Sequence, residues 1–538
     1  MSKRPYLLSC WVRDRVKLLA ACSLALCLLC CFSGCTPGAK SARKGLKTIS
    51  IVLSGSADEL KKHLDAGGDP NASDSAGNTP LICAVQRSEQ RLVQILLDAG
   101  ADPNGVNKAG ESPLIYACQK NLAGAVRSLI MFGAAVNMRT PDGNTPLLAA
   151  CRNGNLAIAE LLIEKGANVK DSQRDGSTPL LLAARHGGLS LVRLLLEHGA
   201  PVSCQDKGGE TPLIAASGEN DPAALALLLE KGAAPNASTK YGFTPLMNAA
   251  MFGRIENLRL LLDHGADAKA QNAMGESALL LAVRNKNEDA VKLLSMEWVK
   301  SNVRNSGDAS TALIWAAQKG YAEIMRQLLL RADCNVNAIS RDGKTPLICA
   351  AQNGSFEILK LLLDHKASVD FSDNDGFSPL SWAAENGQSE AVKFFLEHGA
   401  DANHLAKDAS TPLIRAAASG NLESVKLLLG AGALLNARQK DGATALILAC
   451  GKGHLIVATL LVQRGADVNL AAQTGDTALI AASEDGNLAL VKLLLDAGAN
   501  PNASGSNGSA LDIARRKGFE EVIRMLQIAQ AKQAGGKK

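Results

Sequence analysis

Short runs of apolar residues alternate with polar turns along almost the whole chain, with a period of about 33 residues. In one such unit the first run covers residues 147–152 and the second covers 156–165. In the second run Ile158, Leu161 and Leu162 recur at intervals of three and four residues. This spacing places them on one face of a helix. Each unit is therefore predicted to contain two short helices.

The ends of these helices carry the residues that helix termini require. Thr145 is suited to cap the first helix, and Pro146 stands at the first helical position, where its missing N–H costs nothing. Gly166 ends the second helix, as expected for a residue in the left-handed conformation. Neither helix is long enough to be stable alone, so the units are predicted to stack on their neighbours.

The repeat can be followed through the chain by the residue that caps each first helix. These residues are Thr79, Ser112, Thr145, Thr178, Thr211, Thr244, Ser277, Thr311, Thr345, Ser378, Thr411, Thr444, Thr477 and Ser509. A fixed period of this length indicates a stacked repeat architecture. Counting a degenerate first unit, about fifteen units occupy residues 46–530, with caps at about 46–73 and 505–530.

The units resemble the ankyrin repeat, whose pattern is a β-turn and two antiparallel helices carrying Thr-Pro-Leu-His-x-Ala. Residues 145–150 match that pattern except at the histidine, and the resemblance covers about nine-tenths of the chain. The histidine of the motif is apolar in most units, as at Ile82, Ile115 and Leu148. The resemblance implies an all-α repeat solenoid, an array of about fifteen helix-turn-helix units joined by β-turn hairpin loops. It also implies a concave face that binds other proteins.

Residues 1–34 are predicted to be a signal peptide of the lipoprotein type. Basic residues precede an apolar run at 18–32, which is short for a membrane span and typical of a secretory segment. Small residues then lead to Cys35, which resembles the lipidated first residue of a mature bacterial lipoprotein. An uncleaved signal anchor and an ordinary signal peptide are the alternatives. Thr36 resembles outer-membrane sorting, so we expect an envelope protein facing the periplasm or the surface.

Charge is unevenly distributed around a net value of +5. Basic residues concentrate in a linker at 35–45, just beyond it, and toward a tail at 531–538, while the array between is acidic. The basic segment after Cys35 could lie on anionic lipid headgroups, or it could be a soluble linker. An acidic array argues against a nucleic-acid partner.

Catalytic and metal-binding patterns are missing from the sequence, which predicts neither an enzyme, nor a metal site, nor a cofactor. Four histidines fall just before the end of second helices and are interpreted as capping residues: His198, His264, His365 and His398. No disulfide framework is expected. Cys118 and Cys151 occupy equivalent positions in adjacent units and are interpreted as small buried hydrophobes.

A binding surface is predicted where large side chains leave the apolar stripe of the first helix. The fourth residue after the capping Thr or Ser varies between units, and it is expected to face a groove. Twelve of the eighteen aromatic residues lie between Tyr241 and Phe395. Aromatic residues dominate the binding energy of many interfaces. The predicted partner-binding residues are Tyr241, Phe243, Phe252, Trp315 and Trp382.

The same region departs from the repeat, because the glycine that ends each second helix is replaced by Trp298, Asp333 and Lys366. A left-handed conformation costs a residue with a side chain about 1–2 kcal/mol. These helix ends are therefore predicted to differ in shape, and residues 296–310 to form a weak seam, unless the change is simple repeat drift.

Together these patterns predict a lipid-anchored envelope scaffold that binds an unidentified protein or peptide non-covalently. It is expected to be a monomer attached to the membrane through its N-terminal lipid. The alternative is a structural spacer, or a protective inhibitor of an exported enzyme.

Overall fold

The computed structural model describes residues 37–186, 188–295, 311–331 and 334–535. The predicted signal peptide, Cys35, and the predicted seam at 296–310 lie outside these residues, as do Trp298 and Asp333. Apart from one two-stranded hairpin, the regular structure of the described chain is helical. The chain divides into two compact units, Met1–Lys207 and Gly208–Lys538.

The described helices of the first unit form five consecutive pairs. They are α1 (Pro37–Ser54), α2 (Ala57–Asp65), α3 (Pro80–Arg87), α4 (Gln90–Asp98), α5 (Pro113–Gln119), α6 (Ala123–Met131), α7 (Pro146–Arg152), α8 (Leu156–Glu164), α9 (Pro179–His186) and α10 (Gly188–Glu197).

The described helices of the second unit form ten further pairs. They are α11 (Pro212–Ser217), α12 (Ala223–Glu230), α13 (Pro245–Phe252), α14 (Ile255–Asp263), α15 (Ala278–Arg284), α16 (Glu288–Ser295), α17 (Ala312–Lys319), α18 (Ala322–Leu329), α19 (Pro346–Asn353), α20 (Phe356–Asp364), α21 (Pro379–Glu385), α22 (Ser389–Glu397), α23 (Pro412–Ser419), α24 (Leu422–Gly430), α25 (Ala445–Gly451), α26 (Leu455–Gln463), α27 (Ala478–Glu484), α28 (Leu488–Asp496), α29 (Ala510–Lys517) and α30 (Glu520–Gly535). The predicted all-α repeat of paired helices is confirmed.

From α3 onward, the first helix of each pair begins as the sequence predicts. The hydroxyl of Thr145 accepts a hydrogen bond from the backbone N–H of Leu148 at 3.3 Å, and Pro146 occupies the first turn. Leu148, which stands where the resemblance would place a histidine, is fully buried. The capping hydroxyl thus serves the helix end, while the apolar side chain joins the core between units.

Two ladders of hydrogen bonds connect the loops of neighbouring units. Along the turn tips, a backbone N–H of one turn donates to a carbonyl of the turn before it, as from Lys407 to Asp375 at 2.9 Å. Below them, the amide of Asn403 donates to the carbonyl of Gly432 at 3.1 Å and accepts from the N–H of Leu434 at 2.7 Å. Each ladder bond therefore ties a unit to its immediate neighbour.

The asparagine ladder recurs at the same register in the repeats of both compact units, Met1–Lys207 and Gly208–Lys538. Asn71, Asn104, Asn236 and Asn469 make the same two bonds to the following unit. Asp370 stands at this position in one unit and accepts from the N–H of Asp401 at 3.1 Å. A carboxylate has no N–H to donate, so it provides only the accepting half.

A third link caps several of the first helices from the next repeat along the chain. The side-chain amide of Asn287 donates to the carbonyls of Ala250 and Met251, both at 2.9 Å. Asn353 does the same for the carbonyl of Ala317 at 2.8 Å. The carbonyls that a helix end leaves unpaired are thus satisfied by the following unit.

One prediction about the helix ends is wrong. Lys366 adopts the left-handed conformation, with φ of 65°, although it is not glycine. Its N–H donates to Leu363 and that of Ala367 donates to Leu362, both at 2.9 Å, as at the glycine-ended helices. The stacking of neighbouring units therefore imposes the shape of this helix end despite the local cost.

The predicted role of the four histidines is confirmed. Each Nδ1–H donates to the carbonyl four residues earlier, at 2.7–2.9 Å, at the end of a second helix: His198, His264, His365 and His398. The interpretation of Cys118 and Cys151 is also confirmed, since both are fully buried free thiols.

Helices reach into the two segments that were predicted to be a linker and a tail. α1 begins at Pro37, inside the segment predicted as a basic linker, and α30 continues to Gly535. Between α28 and α29, strands β1 (Ser504–Gly505) and β2 (Gly508–Ser509) pair antiparallel as a short hairpin.

Candidate functional site

The candidate site is a surface formed by turn tips and first helices of the second unit, from α13 to α23. We call it the aromatic surface and define it by six residues: Tyr241, Phe243, Phe252, Trp315, Phe377 and Trp382. The first helices that carry it pack on one another in sequence. Its side chains therefore stand on a continuous row of rigid elements.

The most exposed ring of the surface belongs to Tyr241, at the tip of the turn before α13. Gly242, with φ of 76°, closes this turn, and the carbonyl of Tyr241 accepts from the N–H of Ala273 at 2.9 Å. The tyrosine is 73% exposed. Its backbone is thus held in place by the next turn, while its ring is presented to solvent.

Phe252, in the last turn of α13, is the second exposed ring of the same repeat. It is 50% exposed, and the guanidinium of Arg254 lies 6.0 Å from the ring centre. Arg254 is held there because its Nε donates to the carbonyl of Gly218 at 2.7 Å. Phe243, next to the capping Thr244, is half-buried.

Trp315 on α17 is half-buried between two cations. The guanidinium of Arg284 lies 5.0 Å from its ring centre, and Nζ of Lys319 lies 5.7 Å from it. Arg284 is also paired with Glu276, whose side chain is buried. The ring is therefore fixed by charges from two different helices.

Trp382 on α21 is fixed by more contacts than any sequence pattern indicated. Its Nε1–H donates to Oδ2 of Asp373 at 2.9 Å. The edge of its ring meets Phe377, with ring centres 5.6 Å apart, and Nζ of Lys344 lies 5.1 Å from the ring centre. Trp382 is thus partly a structural residue of its own turn.

Arg415 on α23, in the next repeat, adds a cation to the group formed by Trp382, Phe377 and Asp373. Its guanidinium lies 4.3 Å from the ring centre of Phe377 and pairs with Asp408 at 2.7 Å and with Glu385 at 3.5 Å. Partial burial opposes ionisation of Asp408, but hydrogen bonds from Ser410 and the charge of Arg415 hold its pKa below the ordinary value. The carboxylate of Asp408 is therefore held in its charged form beside the guanidinium of Arg415.

The structure corrects one expectation about the groove. Cys83 and Cys349 stand fourth after the capping Thr, where the side chain was predicted to face outward, and both are buried. Tyr116, Asn248, Trp315, Trp382 and Arg415 at the same position are half-buried. Cys83 and Cys349 therefore belong to the core, whereas the aromatic and polar side chains named at this position are partly exposed.

The sequence places Arg415 at a position facing the groove, but the contacts of Arg284 and Arg415 with the aromatic rings were not found from it. Arg284 lies 31 residues before Trp315, and Arg415 lies 38 residues after Phe377. The available signal was their register, because both belong to first helices at positions turned away from the core. The rings and cations together form a rigid surface suited to non-covalent binding.

Covalent chemistry has little support in the described part of the chain. No three side chains of His, Cys, Asp or Glu converge there as metal ligands would. Burial raises the pKa of Cys349 and of Cys450 to about 12, so both thiols stay protonated at neutral pH. None of the described helices combines the length and the apolar character needed to cross a bilayer.

Comparison with known families gives one match, to a model described as ankyrin repeats in three copies. It matches seven overlapping segments: residues 47–140, 120–206, 191–272, 264–338, 313–406, 380–472 and 469–534. These segments together cover well over half of the chain and coincide with the paired helices. The search of curated proteins gave no match.

Proposed function

Since the chain belongs to the ankyrin repeat family, we propose that it is an exported, lipid-anchored scaffold that binds a protein or peptide through its aromatic surface. Ankyrin repeats mediate protein–protein interactions, and the family is typically non-enzymatic. The proposed contact residues are Tyr241, Phe243, Phe252, Trp315 and Trp382, and the proposed site of lipid attachment is Cys35.

The observation that carries the proposal is the exposure of two large rings in one repeat. Tyr241 is 73% exposed and Phe252 is 50% exposed, although the backbone beneath both is fixed by hydrogen bonds. Neither ring is needed to close the turn or to end the helix. Exposed aromatic rings on a rigid support are characteristic of binding surfaces, which favours a scaffold over a passive spacer.

Crosslinking in living cells tests the proposed surface directly. A photoreactive phenylalanine analogue replaces Tyr241 in one variant and Asp142 in a matched control. Asp142 is exposed and holds the same turn position three units earlier. We expect a discrete crosslinked product from position 241 and none from position 142. Equal crosslinking at both positions, or none at either, would contradict the proposal.

Affinity can be tested once the crosslinked partner is known. Phe252→Ala should weaken its binding at least tenfold, because a buried aromatic anchor contributes roughly 2 kcal/mol or more. The thermal melting curve should change little, since the ring is half-exposed in the free protein. Unchanged affinity would remove Phe252 from the surface.

The proposed anchor rests on the sequence around Cys35 and is tested separately. In Cys35→Ser cells the precursor should remain unprocessed, because lipidation of the cysteine precedes cleavage in the lipoproteins that the segment resembles. In wild-type cells the shorter mature form should be found in the outer-membrane fraction and carry acyl chains, which hold a protein stably when several are present. Normal processing and soluble release of the serine variant would refute the anchor.

A further inference from the structure

Helix α1 places four basic positions on one of its faces. It begins two residues after Cys35, and residues 40, 43, 44 and 47 of its sequence are all Lys or Arg. Helical spacing places these four positions on one face, since they follow one another at intervals of three, one and three residues. Four cations thus share two turns of one helix.

A different side of α1 docks it on the array. Thr48, Ile49 and Val52 are buried against α2 and α3. The hydroxyl of Thr48 hydrogen-bonds Nε2 of His63 at 3.1 Å, and the guanidinium of Arg87 donates to the carbonyl of Val52. The orientation of the helix is therefore fixed by its buried side.

The outward side of α1 also exposes apolar residues. Leu46 is 44% exposed and Leu53 is 45% exposed, and Lys47 between them is exposed as well. At 100° per residue, the two leucines lie side by side and adjoin the basic face. A cationic face beside exposed leucines is typical of helices that lie in the interface of a bilayer.

The acidic residues at the start of α2 already have partners. Asp58 pairs with Arg91 at 2.8 Å, and the carboxylate of Glu59 accepts from the N–H of Ser56 at 3.0 Å in a capping box. Both carboxylates are therefore engaged by residues of α4 and of the N-cap of α2.

We propose that the outward side of α1 binds the surface of an anionic lipid bilayer, with its cations on the headgroups and its leucines among the upper acyl chains. The exposed leucines favour a bilayer over a nucleic acid, which would use the charges alone. Each cation near such a surface strengthens binding roughly fivefold. This contact is independent of acylation and would set the direction in which the array leaves the membrane.

Vesicle cosedimentation tests the proposal without the lipid anchor. The protein is the chain from residue 35 onward with Cys35→Ser, which contains every described helix. It should bind phosphatidylcholine vesicles that contain phosphatidylglycerol and should not bind phosphatidylcholine alone. Lys40→Gln with Arg43→Gln should weaken binding roughly 25-fold. Lys452→Gln with Lys492→Gln, the same charge change at exposed lysines elsewhere, should have little effect.

A second variant separates the interface from simple charge attraction. Leu46→Ser with Leu53→Ser keeps every charge and should weaken binding to the anionic vesicles several-fold. Absence of binding to these vesicles, equal loss in the control pair, or tighter binding to duplex DNA than to vesicles would each overturn the proposal. Because no acyl chain is present, these results are independent of the fate of Cys35.

Discussion

The asparagine ladder allows one unit to be compared with its neighbour in the same protein. Asn403 makes two bonds to the next unit, to Gly432 and from Leu434, whereas Asp370 one unit earlier provides only the accepting bond. We predict that Asn403→Ala destabilises this part of the array, that Asn403→Asp destabilises it less, and that Asp370→Asn stabilises it.

The expected sizes follow from the number of bonds. A hydrogen bond contributes about 0.5–1.5 kcal/mol to stability, and exposed bonds lie at the low end of this range. Asn403→Ala should therefore cost about 1 kcal/mol and Asn403→Asp about half as much. Asp370→Asn can donate to the carbonyl of Gly399, the counterpart of Gly432, and should gain about 0.5 kcal/mol.

Hydrogen exchange is the appropriate assay, because each unit contacts only its neighbours and unfolding need not be all-or-none. Exchange of the peptides covering residues 400–435 should report the local change, with the urea midpoint as a second measure. Asp370→Asn also removes a negative charge near Asp401, so its gain is measured at low and high salt, since salt screens the charge effect and leaves the hydrogen bond. Equal exchange in Asn403→Ala and wild type, or a gain in Asp370→Asn that vanishes in salt, would refute the reasoning.

Three further changes test other features of the fold. Lys366→Gly should raise the urea midpoint, because it relieves a left-handed conformation that costs about 1–2 kcal/mol, less the added freedom of glycine in the unfolded chain. Burial and the charge of Asp74 raise the pKa of Cys83 from 9.0 to about 12. The stability that the neutral Cys83 thiol contributes is therefore fully present below pH 9 and should be lost as the pH rises toward 12. The loss of stability over this pH range should be smaller in Cys83→Ala. Trp382→Phe keeps the contact with Phe377 but loses the bond to Asp373, so calorimetry should show a loss of about 1 kcal/mol.

Local rules in the sequence were sufficient for the helices and their ends. Thr145 and Pro146 predicted the start of a helix, and His264 predicted an end, because each acts on its own backbone within one turn. Lys366 shows where local rules fail. Its conformational preference opposes the left-handed helix end, but the packing of units on both sides determines the outcome.

Features that join different units could be predicted less well. Asn71 and Asn104 were visible as part of the repeat, but their bonds reach 29 and 31 residues ahead and depend on the stacking geometry. The rings of the aromatic surface could be predicted from register and composition. The cations over them could not, since Arg284 reaches Trp315 only after two units have packed. Cys349 was placed outward because register alone does not reveal whether a side chain at this position is buried.

The hydrogen bonds between units have a mechanical consequence, because each one reaches only as far as the next unit. Tension between the two ends is the same at every junction of such a series, so the weakest junction ruptures first and leaves the remaining junctions intact. Each detached repeat of 33 residues would release about 110 Å of chain, at roughly 3.3–3.6 Å per extended residue. The array would then lengthen in equal steps under load and rewind when relaxed, so that it would act as an extensible spring between any two points at which it is held.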